Sequence, residues 1–204
     1  MSNSEGRLTP ENAAILFIDN QSGLLSNVQT VEPTLLKNNT LALAALAKVY
    51  DLPVVLTTSD SGGPNGPLLP ELVGAFPENE VINRTKICAW DDESFVSAVE
   101  ATGRKNLIMC GIVTDVCVAF PAIAACQAGY QSYAVVDASG TWTSLIENAA
   151  LHRMSQAGVI CTNWAAVAAE LQKDWALPTG EALGGVFAQY LAPYRFIIDS
   201  RMAR

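Results

Sequence analysis

The sequence predicts an α/β fold with three layers, α/β/α, and a doubly wound, mainly parallel sheet. Short apolar runs alternate with longer segments that carry apolar residues at helical spacing. Turn-forming Gly, Asp or Asn residues follow most of these segments. Because right-handed crossovers between parallel strands place helices on both faces of a sheet, a doubly wound layer is the main option.

The predicted strands are continuous apolar runs, which is typical of strands buried on both faces. In order, they cover residues 13–18, 52–58, 80–83, 106–110, 131–136 and 159–162. The predicted helices between and after them cover residues 33–50, 92–101, 116–128, 144–157 and 163–173. Their ends carry the expected residues: Pro33 in a first turn, Asp92 as an N-cap, and Gly103, Gly129 and Gly158 after helix ends.

Two segments have no predicted helix or strand. Residues 61–67 are rich in Gly and Pro, and we interpret them as a loop near the substrate or an interface, or as a plain turn. Residues 180–204 are partly apolar, and we expect this C-terminal tail to pack on a neighbouring element or subunit. The whole chain, 1–204, is then a single domain, since 204 residues suffice for one sizeable core.

Composition excludes several classes of function. The net charge of −8 argues against nucleic acid and anionic membranes as partners. Residues 1–11 are polar and lack a signal-peptide core, and no apolar run is long enough to span a membrane. Five cysteines without CxxC spacing fit reduced thiols in a cytoplasmic protein better than a disulfide framework.

Cys117 lies where the central strand 106–110 is expected to give way to a helix. The carboxyl end of a strand in an open parallel sheet is where ligands bind. A thiol at a helix N-terminus has a lowered pKa, so we expect a reactive thiolate here. The alternative is that Cys117 is a small buried hydrophobic residue.

Asp19 and Arg84 also follow predicted strands, so topology can bring both to the same cleft as Cys117. An acid, a cation and a thiol suit acyl transfer. Asp19 can accept the thiol proton and later deliver it to a leaving amine, while the cation stabilises charge. For Arg84, a structural ion pair is the alternative interpretation.

These residues lie in motifs that resemble the isochorismatase-like cysteine hydrolases, and most closely the YcaC-type hydrolases, from Ala13 to Trp175. The matching segments are Phe17-Ile18-Asp19-Asn20-Gln21, Pro64-Asn65-Gly66-Pro67-Leu68, Ala89-Trp90-Asp91, Gly111-Ile112-Val113-Thr114-Asp115-Val116-Cys117, Cys117-Val118-Ala119-Phe120-Pro121, Asp137-Ala138-Ser139-Gly140-Thr141 and Arg153-Met154-Ser155-Gln156-Ala157-Gly158. The resemblance implies a Rossmann-like, isochorismatase-like fold.

The resemblance also implies a catalytic Asp–Lys–Cys triad, with Asp19 as the acid and Cys117 as the nucleophile. It implies a cis peptide bond between Ile112 and Val113, with the N–H groups of Val113 and Cys117 forming an oxyanion hole. It further implies a homo-oligomer, an octamer as in YcaC-type relatives. Gln21, Trp90 and Phe120 are candidate substrate-pocket residues; hydrogen bonding within the Asp19 loop and ordinary aromatic packing are the alternatives.

The sequence departs from the family pattern at two positions and at a metal site. Arg84 occupies the lysine position; it keeps the positive charge but cannot donate its proton. Pro121 lacks the N–H that would bond the Cys117 carbonyl, so the helix should be bent or start late. Residues 57–60 and the single histidine, His152, do not supply the metal ligands of other members, so we expect no metal and no cofactor, with His152 structural.

The sequence therefore predicts a hydrolase that cleaves a C–N bond of a small amide through a Cys117 thioester. One alternative is an oligomeric scaffold or regulatory binding protein with a vestigial site, which the arginine at position 84 favours. Another is an isochorismatase-type ether hydrolase, which would not need the thiol. A nucleotide-binding protein is disfavoured because the glycine fingerprint is absent.

Overall fold

Six parallel strands form one sheet in this computed structural model, which describes residues 7–203. Residues 1–6, where the polar leading segment begins, and residue 204 lie outside the described residues. The strands are β1 (Ala13–Ile18), β2 (Val54–Ser59), β3 (Val81–Arg84), β4 (Asn106–Gly111), β5 (Gln131–Val135) and β6 (Ile160–Thr162). Each predicted strand is present, with ends that differ by up to two residues.

The α-helices of the described residues include all of the predicted ones. They are α1 (Ser22–Leu25), α2 (Pro33–Val49), α3 (Pro70–Ala75), α4 (Glu93–Ala101), α5 (Ala119–Gln127), α6 (Ser144–Gln156), α7 (Trp164–Gln172), α8 (Gly180–Tyr190) and α9 (Ala192–Met202). The short helices α1 and α3 were not predicted, because four and six residues are too few to show helical periodicity. None of the described helices is both long and apolar enough to cross a membrane.

The strand order β3-β2-β1-β4-β5-β6 makes this a doubly wound sheet, as predicted. The chain winds outward from β1 in one direction and from β4 in the other, so the two halves meet between β1 and β4. In that pair Ile18 lies beside Gly111. The crevice for a ligand is therefore expected at the carboxyl ends of these two central strands.

Side chains of β1 alternate between two cores, one on each face of the sheet. Ile15 and Phe17 belong to a core with α2, α3, α7 and α8, whereas Leu16 and Ile18 belong to a core with α4, α5 and α6. All six β1 residues are buried. This explains why the sequence shows a continuous apolar run here, without alternation.

The C-terminal tail forms two helices, which the sequence analysis did not predict. Leu183, Val186 and Phe187 of α8 are buried in the core that contains α2 and α7. The expected packing on a neighbouring element is thus present for α8. In α9, Phe196 and Ile197 are exposed.

The segment that follows β4 begins with a wide turn and not with an α-helix. Residues Thr114–Val118 form a single π-helical turn, in which the Val118 N–H bonds the Val113 carbonyl at 3.2 Å. The α-helix starts only at Ala119. Pro121 lies in its first turn, where a missing N–H is tolerated, so the predicted late start is found.

Candidate active site

Three side chains that the sequence analysis selected meet at the carboxyl edge of the sheet. Asp19 directly follows β1, Arg84 ends β3, and Cys117 lies in the π turn after β4. Asp19 and Arg84 are fully buried, and Cys117 is 9% exposed. The fold therefore brings together an acid, a cation and a thiol from distant parts of the chain.

Asp19 and Arg84 form a buried ion pair. One guanidinium nitrogen of Arg84, Nη2, donates to both carboxylate oxygens of Asp19, at 2.8 and 2.7 Å. The other terminal nitrogen, Nη1, donates to the carbonyls of Lys86 and, at 3.0 Å, Ile87. Arg84 thus binds the acid and also shapes the loop after β3.

The backbone at Asp19 is adapted to this position. Its φ is 55°, in the left-handed region, where Asp is tolerated better than most residues. Its N–H bonds the Thr57 carbonyl at 3.0 Å. On the adjacent strand, a Cβ at Gly111 would lie 1.9 Å from the Ile18 carbonyl oxygen, so only glycine allows the two strand ends to approach this closely.

The Cys117 thiol faces the Asp19 carboxylate, and its pKa is raised, not lowered. Burial is the main cause; the negative charge of Asp19 and its hydrogen bond to the thiol act in the same direction. The Val113 N–H and the positive charge of Arg84 oppose the rise. The predicted low-pKa thiolate is therefore wrong: Cys117 lies inside a buried turn beside a carboxylate, and not at an open helix N-terminus.

Burial also raises the pKa of Asp19, against the opposing effects of Arg84 and of the Cys117 hydrogen bond. A carboxyl group with a raised pKa can exchange a proton more readily near neutral pH. Cys117 and Asp19 thus form a pair in which both groups hold a proton more tightly than they would in water. This arrangement suits proton transfer that accompanies sulfur attack.

The backbone next to the sulfur has the geometry that the resemblance implies. The Ile112–Val113 peptide bond is cis. The Val113 N–H favours the ionised form of the sulfur and so acts to lower the Cys117 pKa. Ser139, which was quoted only as part of a matching segment, supports the end of β4: its hydroxyl accepts from the Gly111 N–H at 3.2 Å.

Gln21 does not have a free amide for a substrate. Its Nε2 donates to the carbonyls of Ser59, at 3.2 Å, and Gly66, and its Oε1 accepts from the Ser59 N–H at 2.9 Å. The side chain is fully buried. These contacts correct the pocket assignment: Gln21 joins the end of β2 to the loop 61–67, a link that neither the pocket interpretation nor its alternative, bonding within the Asp19 loop, described.

The two aromatic pocket candidates pack in the helical layer that also contains Cys117. Trp90 makes edge contacts with Phe95 and Tyr130, at centroid distances of 6.2 and 5.5 Å. The Phe120 ring lies 4.9 Å from the guanidinium carbon of Arg153. Packing accounts for both rings, and their contact with a substrate stays a prediction.

Residues 7–203 contain neither a metal-binding cluster nor a disulfide bond. In that range no group of three or more His, Cys, Asp or Glu side chains is arranged to hold a metal ion. His152 is exposed on α6, whereas the three site residues are buried. All five cysteines are free.

Comparisons with known proteins give a consistent result. The model of the isochorismatase domain matches residues 13–166. The chain is 48% identical over 195 residues to the probable hydrolase YcaC of Escherichia coli K12, covering 95% of this chain and 93% of the relative.

Two solved structures superpose on nearly the whole chain. The E. coli YcaC structure, described as an octameric hydrolase of unknown specificity, has a TM-score of 0.95 and 46% identity, covering 99% of both chains. YcaC from Pseudomonas aeruginosa, solved with hexane-2,5-diol and covalent acrylamide, has a TM-score of 0.94 and 47% identity, covering 98% of both chains.

Proposed function

The chain belongs to the isochorismatase family of hydrolases, and from this premise we propose that it cleaves the C–N bond of a small amide with Cys117 as nucleophile. The observation that carries the proposal is the buried contact of Cys117 with Asp19, whose two carboxylate oxygens also accept hydrogen bonds from Arg84. A nucleophile, a base within reach of its proton and a group that orients the base are the parts of a covalent acyl-transfer site.

In the first half of the reaction, the Cys117 sulfur attacks the amide carbonyl carbon. As the C–S bond forms, the thiol proton passes to the Asp19 carboxylate. The N–H groups of Val113 and Cys117 bind the oxyanion of the tetrahedral intermediate. The protonated Asp19 then gives its proton to the leaving nitrogen as the C–N bond breaks, which releases the amine and leaves a thioester.

In the second half, water attacks the thioester carbonyl carbon and Asp19 takes a proton from it. Collapse of the intermediate breaks the C–S bond, and the sulfur recovers its proton from Asp19 as the carboxylic acid leaves. The proton balance needs only Cys117, Asp19 and water. This matters because Arg84, unlike the family lysine, cannot serve as a proton donor.

Arg84 acts on this cycle through charge and position. Its guanidinium keeps the Asp19 carboxylate fixed by two hydrogen bonds from one nitrogen, at 2.8 and 2.7 Å. Its positive charge offsets part of the burial that raises the Asp19 pKa. The arginine therefore supports an ionised base in a site from which solvent is largely excluded.

The substrate class is a small, uncharged amide. Within the catalytic cluster, the one cation, Arg84, is fully buried and already bound to Asp19, so it does not offer a partner to a substrate carboxylate. The P. aeruginosa relative was solved with covalent acrylamide, itself a small neutral amide. We infer that molecules of this size and polarity can reach the site of this chain.

The test is ammonia release from a panel of short neutral amides, with intact-mass analysis for an acyl-enzyme. We expect the C117S variant to lose turnover by at least about 10³-fold and D19N by about 10²–10⁴-fold. C126S, at a half-buried cysteine of α5, is the matched control and should retain full activity. Turnover that survives in C117S would refute the thioester mechanism.

A scaffold or regulatory protein with a vestigial site is the second candidate, favoured by the arginine at the lysine position. It predicts no acyl-enzyme with any amide, although the site would remain folded. We also propose a homo-octamer, because the similar YcaC of E. coli is described as octameric, and a cytoplasmic location, because the five cysteines are free. Light scattering should then give eight times the subunit mass of 21.7 kDa.

A further inference from the structure

Gly140 and Thr141 lie against the turn that carries Cys117. The Thr114 N–H, at the first residue of that turn, donates to the Gly140 carbonyl at 3.0 Å. The Thr141 hydroxyl donates to a carboxylate oxygen of Asp115, the second residue of the turn, at 2.5 Å. A short hydrogen bond to a carboxylate is among the stronger polar contacts in proteins.

The backbone of Thr141 is hydrogen-bonded to the segment 28–31. Its carbonyl accepts from the N–H groups of Gln29 and Thr30, at 2.9 and 3.2 Å, and its N–H donates to the Thr30 hydroxyl at 3.0 Å. A Cβ at Gly140 would lie 2.6 Å from a methyl carbon of Val28, so this segment packs directly on the backbone. Thr141 is fully buried, and its N–H, carbonyl and hydroxyl are all bonded.

The start of the turn has few other side-chain hydrogen bonds among the described residues. Its first residue, Thr114, is buried, and its hydroxyl has no hydrogen-bond partner in the described part of the chain. No side chain caps the turn at its N-terminal end. The hydrogen bond between Asp115 and Thr141 therefore holds the first half of the turn, whereas the bond of Cys117 to Asp19 belongs to its second half.

We propose that Thr141 is a positioning residue, which holds the Cys117 turn against Asp19 through its hydrogen bond to Asp115. The inference rests on the proposed role of Cys117 as the reactive thiol. The charged groups that face the sulfur are Asp19 and Arg84. Release of the turn moves the sulfur away from the carboxylate and towards solvent, and both changes favour the thiolate.

The test is the rate of iodoacetamide alkylation at Cys117, followed by peptide mass spectrometry across pH. T141V, which replaces the hydroxyl by a methyl group, should raise the rate near neutral pH by about tenfold and lower the midpoint of the pH profile. T141S keeps the hydroxyl and should match the wild type. D115A should reproduce T141V, and the double variant should go no further than either change alone.

T40V is the matched control, because Thr40 is also fully buried and its hydroxyl donates to the Leu36 carbonyl at 3.0 Å, within α2. It should lose thermal stability without altering alkylation of Cys117. The inference is overturned if T141V and D115A keep the wild-type pH profile, if T141S behaves as T141V, or if T40V shifts the profile equally. Alkylation needs no turnover, so an inactive wild type would refute the proposed function and leave this test intact.

Discussion

One nitrogen of Arg84 bonds both carboxylate oxygens of Asp19, at 2.8 and 2.7 Å, and neither side chain is exposed to solvent. A buried pair of this kind contributes little net stability compared with a well-packed apolar pair. Removal of one partner is different, because it leaves an uncompensated buried charge. The stability of the protein should therefore depend on both the charge and the hydrogen bonds of residue 84, and different substitutions can test the two separately.

Substitutions at Arg84 should separate its charge from its hydrogen bonds. R84M should reduce the free energy of unfolding by about 3–5 kcal/mol, because Asp19 is left buried and unpaired. R84K keeps the charge but loses the bonds from Nη1 to the Lys86 and Ile87 carbonyls, and should lose about 1–3 kcal/mol. Urea unfolding measures both. R104K, at another arginine that donates to a backbone carbonyl, is the control and should change little. Equal losses in R84M and R84K would contradict a role for the charge.

The Cys117 thiol should titrate above an ordinary cysteine. Its pKa is raised by burial and by the Asp19 charge, so the alkylation rate should still be climbing at pH values where a free thiol has reached its plateau. D19N removes the negative charge that disfavours the thiolate, and the midpoint should fall. D51N, at an exposed aspartate, should leave the profile unchanged. A wild-type midpoint below that of a free thiol would show that the helix-terminus argument from the sequence was correct after all.

Gly111 should not accept a side chain. A Cβ there would lie 1.9 Å from the Ile18 carbonyl oxygen, a backbone atom that cannot move without disturbing β1. G111A should therefore lose about 3 kcal/mol or more, measured by denaturant unfolding. G185A is the control: the same change within α8 meets no atom within 4 Å and should stabilise the protein by roughly 0.5–1 kcal/mol. If G111A unfolds at the wild-type midpoint, the close approach of β1 and β4 is wrong.

Asp137 should give the protein a pH-dependent component of stability. Burial raises its pKa above the ordinary value of 3.8, although the Trp164 N–H, at 2.9 Å from its carboxylate, opposes the rise. The folded state therefore disfavours the ionised form at pH values above the raised pKa. As pH falls through the raised pKa towards 3.8, the folded state binds the proton first, and this unfavourable effect is relieved.

The wild type should therefore gain stability relative to D137N as the pH falls through the raised pKa of Asp137 towards 3.8. Asparagine keeps an oxygen that can accept from the Trp164 N–H, so the comparison isolates the charge. Urea unfolding at a series of pH values measures the difference. D51N should show no such trend, and a difference that moves in favour of D137N on acidification would contradict the raised pKa.

Much of the fold could be predicted because its signals are local. Each central strand is buried on both faces, so runs such as residues 13–18 are continuously apolar in the sequence. The position of Asp19 and Cys117 after such runs also placed them at the carboxyl edge of the sheet. Helices α8 and α9 were missed, because no strand follows them and the packing of α8 on α2 depends on residues far away in the chain.

Roles within the site were harder to predict, since each depends on atoms from several segments. Gln21 was assigned to a substrate pocket, but its amide binds Ser59 and Gly66, whose positions follow from the path of β2 and the next loop. Thr141 was quoted only within a matching segment. Its contact with Asp115, 26 residues away, becomes visible when both are placed in space.

The sequence by itself determined the strand–helix alternation, the doubly wound sheet and the convergence of Asp19, Arg84 and Cys117, because apolar runs and turn residues are encoded locally. Only the tertiary structure decided the state of the thiol. The pKa of a group depends on its burial and on the charges around it, and for Cys117 these come from the ends of three different strands. An open helix N-terminus would lower the pKa of this thiol, whereas here burial and the Asp19 carboxylate raise it.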